Sequence, residues 1–331
     1  MIAVSQSTIH NIPQLRPLNV IRDLPSVADL VEICFSETLD TDGYRFIQQM
    51  RTAAKDNRFL KWAVHAVDSS SLPLSGYVWE ESRSIVGNIS IIPFRKKGRK
   101  IYLIANVAVH PEYRRRKIAS HLTEIAIEHV NNRNAAEIWL QVREDNQGAI
   151  DLYKSFGFQE IARRTRWQAD PDKDIPDTAA DLVIRDRKAD EWPTHKKWLE
   201  RLYPEELSWY QPMEWFRFRP GLFPSFLRFI SESETHHWSI LSQDRILAVG
   251  TWFAEFRRTE RVYVATPEEY QPEGLMNLLL FIRRILAGRR NLVLDYPGGL
   301  ATDIIRNAGF QAVRTLIWMK LDTTSSANLR K

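Results

Sequence analysis

Cysteine is almost missing from this chain. Cys34 stands alone among 331 residues, so no disulfide can form within the chain and no metal site built on cysteine pairs is available. His236 and His237 are adjacent rather than a helical turn apart, so they do not read as a zinc pair, and no metal is expected. No apolar run approaches the roughly 18 residues of a membrane helix, so no membrane partner is expected. The opening MIAVSQSTIHN has neither a basic stretch nor a long apolar one and does not read as a secretory signal. With a lone thiol, that fits a reducing, cytoplasmic setting. No Ser-His-Asp arrangement stands out. Neither sign of charge dominates: 46 Lys and Arg against 41 Asp and Glu leave +5, a mild lean toward anionic partners. No long basic stripe stands apart from the one described next, so nucleic acid is not an expected partner.

What is present is a composition of 44% apolar and 26% charged residues, the profile of a globular protein, over a length that suggests about two domains. The most informative stretch is NVAVHPEYRRRKIASHL, residues 106–122. An apolar run (Val107, Ala108, Val109) breaks at Pro111 and passes through four consecutive cations, Arg114 to Lys117. It then continues as a helix with Ile118, Leu122, Ile125 and Ala126 on one face. The first turn of a helix has unpaired N–H groups and partial positive charge. Small Ala119 and Ser120 permit close approach, and the cations add charge-assisted hydrogen bonds. The physical reading is a pyrophosphate cradle at a strand-to-helix junction.

Around it, LNVIRD (18–23) is a strand candidate after a loose lead-in over residues 1–17. Helical patterns follow through Leu30 to Cys34 and from Tyr44 to about Ala54. Four β-like runs come next, at 60–67, 75–80, 84–93 and 101–109, with RKKGRK (95–100) as a solvated hairpin tip. After the cradle helix, EIWLQV (137–142) is a strand, and DNQGAIDLYKSFGFQE (145–160) is a short helix. Asp145 or Asn146 would cap that helix, Gly157 would stop it, and Phe158 to Trp167 would form a last strand.

Two motifs in this order resemble the GCN5-related N-acetyltransferases. The first is Arg or Gln, two residues, Gly, one residue, then Gly or Ala, here Arg114, Lys117 and Ala119, with Lys117 where the family prefers Gly. The second is Asn146, Ala149, Leu152-Tyr153 and Gly157-Phe158. The resemblance covers about residues 18–168. It implies an acetyl-CoA-dependent N-acetyltransferase acting on a primary amine, with a small-molecule acceptor as the first expectation. A protein or peptide amine, or CoA binding without turnover, are the alternatives. By the same resemblance, CoA phosphates would sit on residues 115–120 with Arg114, Arg115, Arg116 or Lys117 assisting. The pantetheine arm would lie along Val107 to Val109, and a Val109 N–H would meet the thioester carbonyl. Ala119 and Ser120 would line the cradle, Asn146 would touch the CoA arm, and Tyr153 would protonate the departing thiolate. Glu80 and Glu81 read equally well as turn carboxylates, so no general base is assigned.

Residues 168–181 are rich in Asp and Pro and read as a linker. The second half then repeats the first: VIRD at 20–23 and 183–186, and GFQ at 157–159 and 309–311. RVYVATPEEYQPEGLMNLL (261–279) falls opposite the cradle stretch at an offset of 157, aligning Tyr113 with Tyr270. In that register Gln271 replaces Arg114, Pro272 removes a donor, Glu273 opposes phosphate and Met276 replaces Ala119. Gly274 restores the family glycine, and at the GFQ offset of 152 Ile305 stands opposite Tyr153. The implied fold class is α/β (α+β), with two tandem acyl-CoA N-acyltransferase (GNAT-like) domains. Each would be a mixed, mostly antiparallel sheet flanked by helices. Residues 1–170 would be catalytic and 182–331 degenerate. WYQPMEWFRFRP (209–220) interleaves aromatics with Arg; such a run could stack bases or hold a cationic amine, but it reads first as interdomain packing.

Overall fold

The computed structural model describes residues 12–56, 74–179, 181–210, 212–221, 235–253, 260–269, 271–287 and 292–323. The expected strand at 60–67 lies outside them. Two units emerge, one of residues 1–161 with 317–331, the other of residues 162–316.

In the first unit, β1 (Leu15–Pro17), β2 (Gly76–Glu81), β3 (Ser84–Lys96) and β4 (Arg99–Val109) form an antiparallel run. β5 (Glu137–Arg143) then joins β4 in parallel. A two-residue turn with positive φ at Lys97 and Gly98 joins β3 to β4, so RKKGRK is a hairpin tip. Helices α1 (Val20–Phe35) and α2 (Thr41–Ala54) bury Leu24, Val27, Val31, Ile47 and Met50 with Val78 and Ala108 of the sheet. Helices α3 (Ile118–Asn131) and α4 (Gln147–Ser155) bury Leu122, Ala126, Ile150 and Tyr153 in another cluster with Ile89, Ile91, Ile104 and Leu140. Fully burying one such aliphatic side chain stabilises by about 1.5–3 kcal/mol.

The chain start differs from the sequence reading in two ways. Residues 15–17 are not loose but pair with β2, and LNVIRD is not a strand, because Val20 opens α1. Asn19 accepts a hydrogen bond from the Arg22 N–H (3.2 Å), and the Asn19 N–H donates to Asp23 (2.8 Å). This cap, together with Val20, Leu24, Val27 and Val31 on one buried face, overrides the strand preference of Val and Ile. The same VIRD at 183–186 is a strand, so that repeat pairs unlike structures.

The second unit has β6 (Gln159–Ala169) from Ala162 on, followed by β7 (Val183–Asp186), β8 (Thr235–Ser242), β9 (Arg245–Phe253), β10 (Glu260–Ala265) and β11 (Leu292–Pro297). Among the described residues these neighbours are antiparallel except β10 with β11. Helices α5 (Trp192–Leu202), α6 (Trp215–Phe218), α7 (Gln271–Ile285) and α8 (Thr302–Asn307) accompany them. Trp215 and Phe218 of the aromatic segment pack with Leu199 and Phe253 of this same unit.

The division between units differs from a cut in the 168–181 segment. Antiparallel β6 lies along β11 of the second unit, from Arg164 opposite Pro297 to Gln168 opposite Val293. The last strand, β12 (Phe310–Asp322), gives Ile317, Met319 and Leu321 to the first unit's core. Each unit is therefore completed by the final strand of the other half of the sequence. Nor is 168–181 simply a tether. The buried Arg283 guanidinium of α7 donates to the carbonyls of Asp170 (2.8 Å), Lys173 (2.7 Å), Asp174 (3.4 Å) and Ala308 (3.0 Å). Arg283→Met is expected to lower stability by about 3 kcal/mol, because it leaves several carbonyls without a donor. Urea unfolding followed by tryptophan fluorescence measures this, and a midpoint equal to the wild type would contradict it.

Candidate functional site

The cradle is built where β4 gives way to α3. Pairing of β4 with β5 runs from Ile101–Glu137 to Ile104–Leu140 and stops, although β5 continues to Arg143. The His110 N–H donates to the Val86 carbonyl of β3 at 2.9 Å. Polar groups alternate sides along a strand, so the Val109 N–H faces the opposite edge, the one β5 has left, and Val107 shares that parity. A single turn of 3-10 helix, Pro111–Tyr113, follows. Arg114 is extended, Arg115 is left-handed (φ 65°), and Lys117 caps α3 in the left-handed region (φ 60°, ψ 10°). Two left-handed residues, Arg115 and Lys117, turn the chain from strand into helix. The first N–H groups of α3, from Ile118 to Ser120, have no partner within the helix and suit an anion. Arg114, Arg115, Arg116 and Lys117 are all exposed, whereas Ala119 and Ser120 are partly buried.

The family preference for glycine at the Lys117 position follows from this backbone. A non-glycine residue in the left-handed region costs about 1–2 kcal/mol. Lys117→Gly is therefore expected to raise Tm by about 2 °C and to lower acetyl-CoA affinity only about 2-fold, because one exposed charge is lost while the N–H groups remain. Calorimetric melting tests this. A lower Tm would mean that the lysine side chain holds the loop.

Arg114 Nε donates to the Val109 carbonyl (3.3 Å), and Arg116 donates to the Glu112 carbonyl (3.3 Å) while covering the Tyr113 ring at 4.9 Å. Against Arg114 and the main chain of Val109 lies Cys34, near the end of α1. Burial pushes its thiol up from the usual range, opposed by the charge of Arg114 and by hydrogen bonds from the Arg114 side chain and the Val109 main chain. Cys34 and Val109 are remote in the chain, and no pattern in the sequence joins them.

Asn146 caps α4, its Oδ1 accepting the Ala149 N–H at 3.1 Å, which leaves the side-chain amide N–H groups for any further contact. Tyr153 sits on α4 with its ring edge-on to Phe158 (6.0 Å), and it is only 5% exposed. Burial pushes its phenol well above the usual range, so it stays protonated at neutral pH. Gly157, in the left-handed region (φ 90°), ends the helix as read from sequence. Glu80 is held by Arg16 (2.5 Å), which also grips the buried Asp23 (2.6 Å), and Glu81 accepts from Trp79 Nε1 (3.1 Å). Among the described residues no cluster of three or more His, Cys, Asp or Glu is arranged for a metal ion. No described helix is long and apolar enough to cross a membrane.

The equivalent region of the second unit is built differently. In the first unit, Ile118 and Leu122 of α3 close on Gly87, where an added Cβ would meet them at 2.9 and 3.2 Å. In the second, Leu278 and Ile282 of α7 close on Gly250 at 2.8 and 2.9 Å. Packing therefore equates 118 with 278, an offset of 160, about one helical turn away from the register of 157 read from sequence. α3 begins at Ile118, but α7 begins at Gln271, seven residues before Leu278. Helix occupies the stretch that is the cationic loop in the first unit. Gly274 has a packing reason, since a Cβ there would lie 2.4 Å from the Leu247 carbonyl oxygen. Gly309 (φ 85°) stops α8 as Gly157 stops α4, and Ile305 is buried.

Residues 29–158 match the model of the acetyltransferase (GNAT) family. The chain is 40% identical over 62 residues to the [Ribosomal protein bS18]-alanine N-acetyltransferase of Escherichia coli (strain K12), covering 19% of this chain and 42% of that one. The match therefore spans less than half the length of that relative. It is 34% identical over 113 residues to an N-alpha-acetyltransferase of Saccharolobus solfataricus, covering 34% of this chain and 64% of that one. The solved structure of a GCN5-related N-acetyltransferase from Sphaerobacter thermophilus superposes with a TM-score of 0.56 at 13% identity, over 94% of this chain and 96% of that one. That likeness establishes the fold.

Proposed function

We propose that the first unit transfers an acetyl group from acetyl-CoA to a primary amine, and that the second unit is a degenerate copy without a CoA cradle. The observation that carries this reading is the cradle itself. A strand that has parted from its parallel neighbour runs into a cationic loop with left-handed Arg115 and Lys117, and then into the N-terminus of α3. CoA phosphates take the N–H groups of residues 115–120, with Arg114, Arg115, Arg116 and Lys117 supplying charge. Val107 to Val109 line the pantetheine arm, which Asn146 contacts through its amide N–H groups. The Val109 N–H, whose neighbour here is the weakly accepting Cys34 thiol, donates to the thioester carbonyl and stabilises the oxyanion as the amine attacks. Tyr153, kept protonated by burial, gives its proton to the departing thiolate.

For the acceptor, the relatives named for an alanine of a ribosomal protein and for N-alpha acetylation support the α-amine of a polypeptide over the small amine first expected. Labelled acetyl-CoA offered with a set of peptides of varied first residue and a panel of small amines tests this. Label on peptide α-amines is the expected result. Label confined to small amines would restore the first expectation, and label on neither would overturn the transferase reading.

A further inference from the structure

We infer that Asn88, with Ser90, is a positioning residue that sets which N–H groups of β4 face the thioester. The inference rests on the acetyl-CoA reading above. In the β3–β4 register, Ser90 is opposite Ala105 and Asn88 is opposite Ala108, so Asn106 and Val107 together face Ile89. One extra residue has entered β4, and Asn106 takes it up in the left-handed region (φ 51°). Side-chain alternation has period two, so this one residue decides the parity of everything after it. With it, Val107 and Val109 turn their N–H groups toward the edge β5 has left. Without it, those of Ala108 and His110 would.

The bulge is clamped from β3. Asn88, fully buried, donates through Nδ2 to the Asn106 carbonyl at 2.9 Å and approaches Ser90 Oγ at 3.4 Å. Asn106 Nδ2 donates back to the same Ser90 hydroxyl at 3.3 Å. Because Nδ2 meets a carbonyl oxygen, the amide orientation is fixed, and Asn88 Oδ1 is left buried without a partner among the described residues. The bonds of Asn88 go to the residue whose backbone re-aims the strand.

The test is calorimetric binding of acetyl-CoA and of CoA to the full chain and to Asn88→Leu. Both ligands place their phosphates on α3 and their pantetheine arm along β4, but only acetyl-CoA presents the thioester carbonyl. The preference for acetyl-CoA over CoA is expected to fall about 10-fold in Asn88→Leu, the value of one hydrogen bond, with a smaller loss of CoA affinity. Adding Asn106→Gly is expected to restore part of the preference, because glycine enters the left-handed region without the clamp. Should Asn88→Leu fail to fold, Ser90→Ala carries the test, with a loss of about 3-fold in the same ratio. An unchanged ratio in a folded variant, or equal weakening of both ligands, overturns the inference. Failure of the wild type to bind acetyl-CoA would instead overturn the reading it rests on, and this inference with it.

Discussion

Replacing Arg114 and Arg116 together by glutamate is expected to weaken acetyl-CoA binding about 100-fold at low salt, roughly 3 kcal/mol. Both side chains are exposed and bond to the main-chain carbonyls of Val109 and Glu112, so the substitutions leave the core untouched. The loss should shrink in high salt, because exposed charges are screened within about 10 Å at 0.1 M. Binding isotherms at two salt concentrations, beside a melting curve, measure this. Affinity within a few-fold of the wild type would place the phosphates elsewhere.

Tyr153→Phe is expected to lower kcat about 100-fold, the usual worth of a general acid, with acetyl-CoA affinity unchanged. The phenylalanine keeps the ring against Phe158 and the core cluster around Ile150 and Leu140, so the fold is retained. Burial raises the wild-type phenol, so the acid form persists through neutral pH and the tyrosine imposes no loss of kcat there. Loss of the hydroxyl should therefore depress turnover across the neutral range rather than shift a pH optimum. A Phe variant with wild-type kcat at every pH would remove Tyr153 from the chemistry.

The cradle was legible because its parts are consecutive: strand, break, cations and helix lie within 106–122, and each obeys a local rule. The caps at Asn146 and Gly157 were legible for the same reason. VIRD misled because four residues carry propensity but not context. Asn19 and Asp23 fold it into a helix at 20–23, while pairing with β8 makes it a strand at 183–186. The exchanged final strands left no trace in sequence, because an alternating strand reads the same whichever sheet it joins. The Asn88–Ser90–Asn106 clamp joins residues of two different strands across a bulge, and Arg283 looks like any helical cation until its four carbonyl partners are seen. Gly274 shows the opposite hazard. It completes a family motif by residue type, yet its place is set by the Leu247 carbonyl against which it packs.

The most direct test of the account is the stoichiometry of acetyl-CoA binding to the full chain by calorimetric titration. One site per chain, lost with Arg114 and Arg116 both reversed, is the predicted result. Two sites would contradict it, since the helical stretch from Gln271 would then be binding CoA without the loop on which the first site depends.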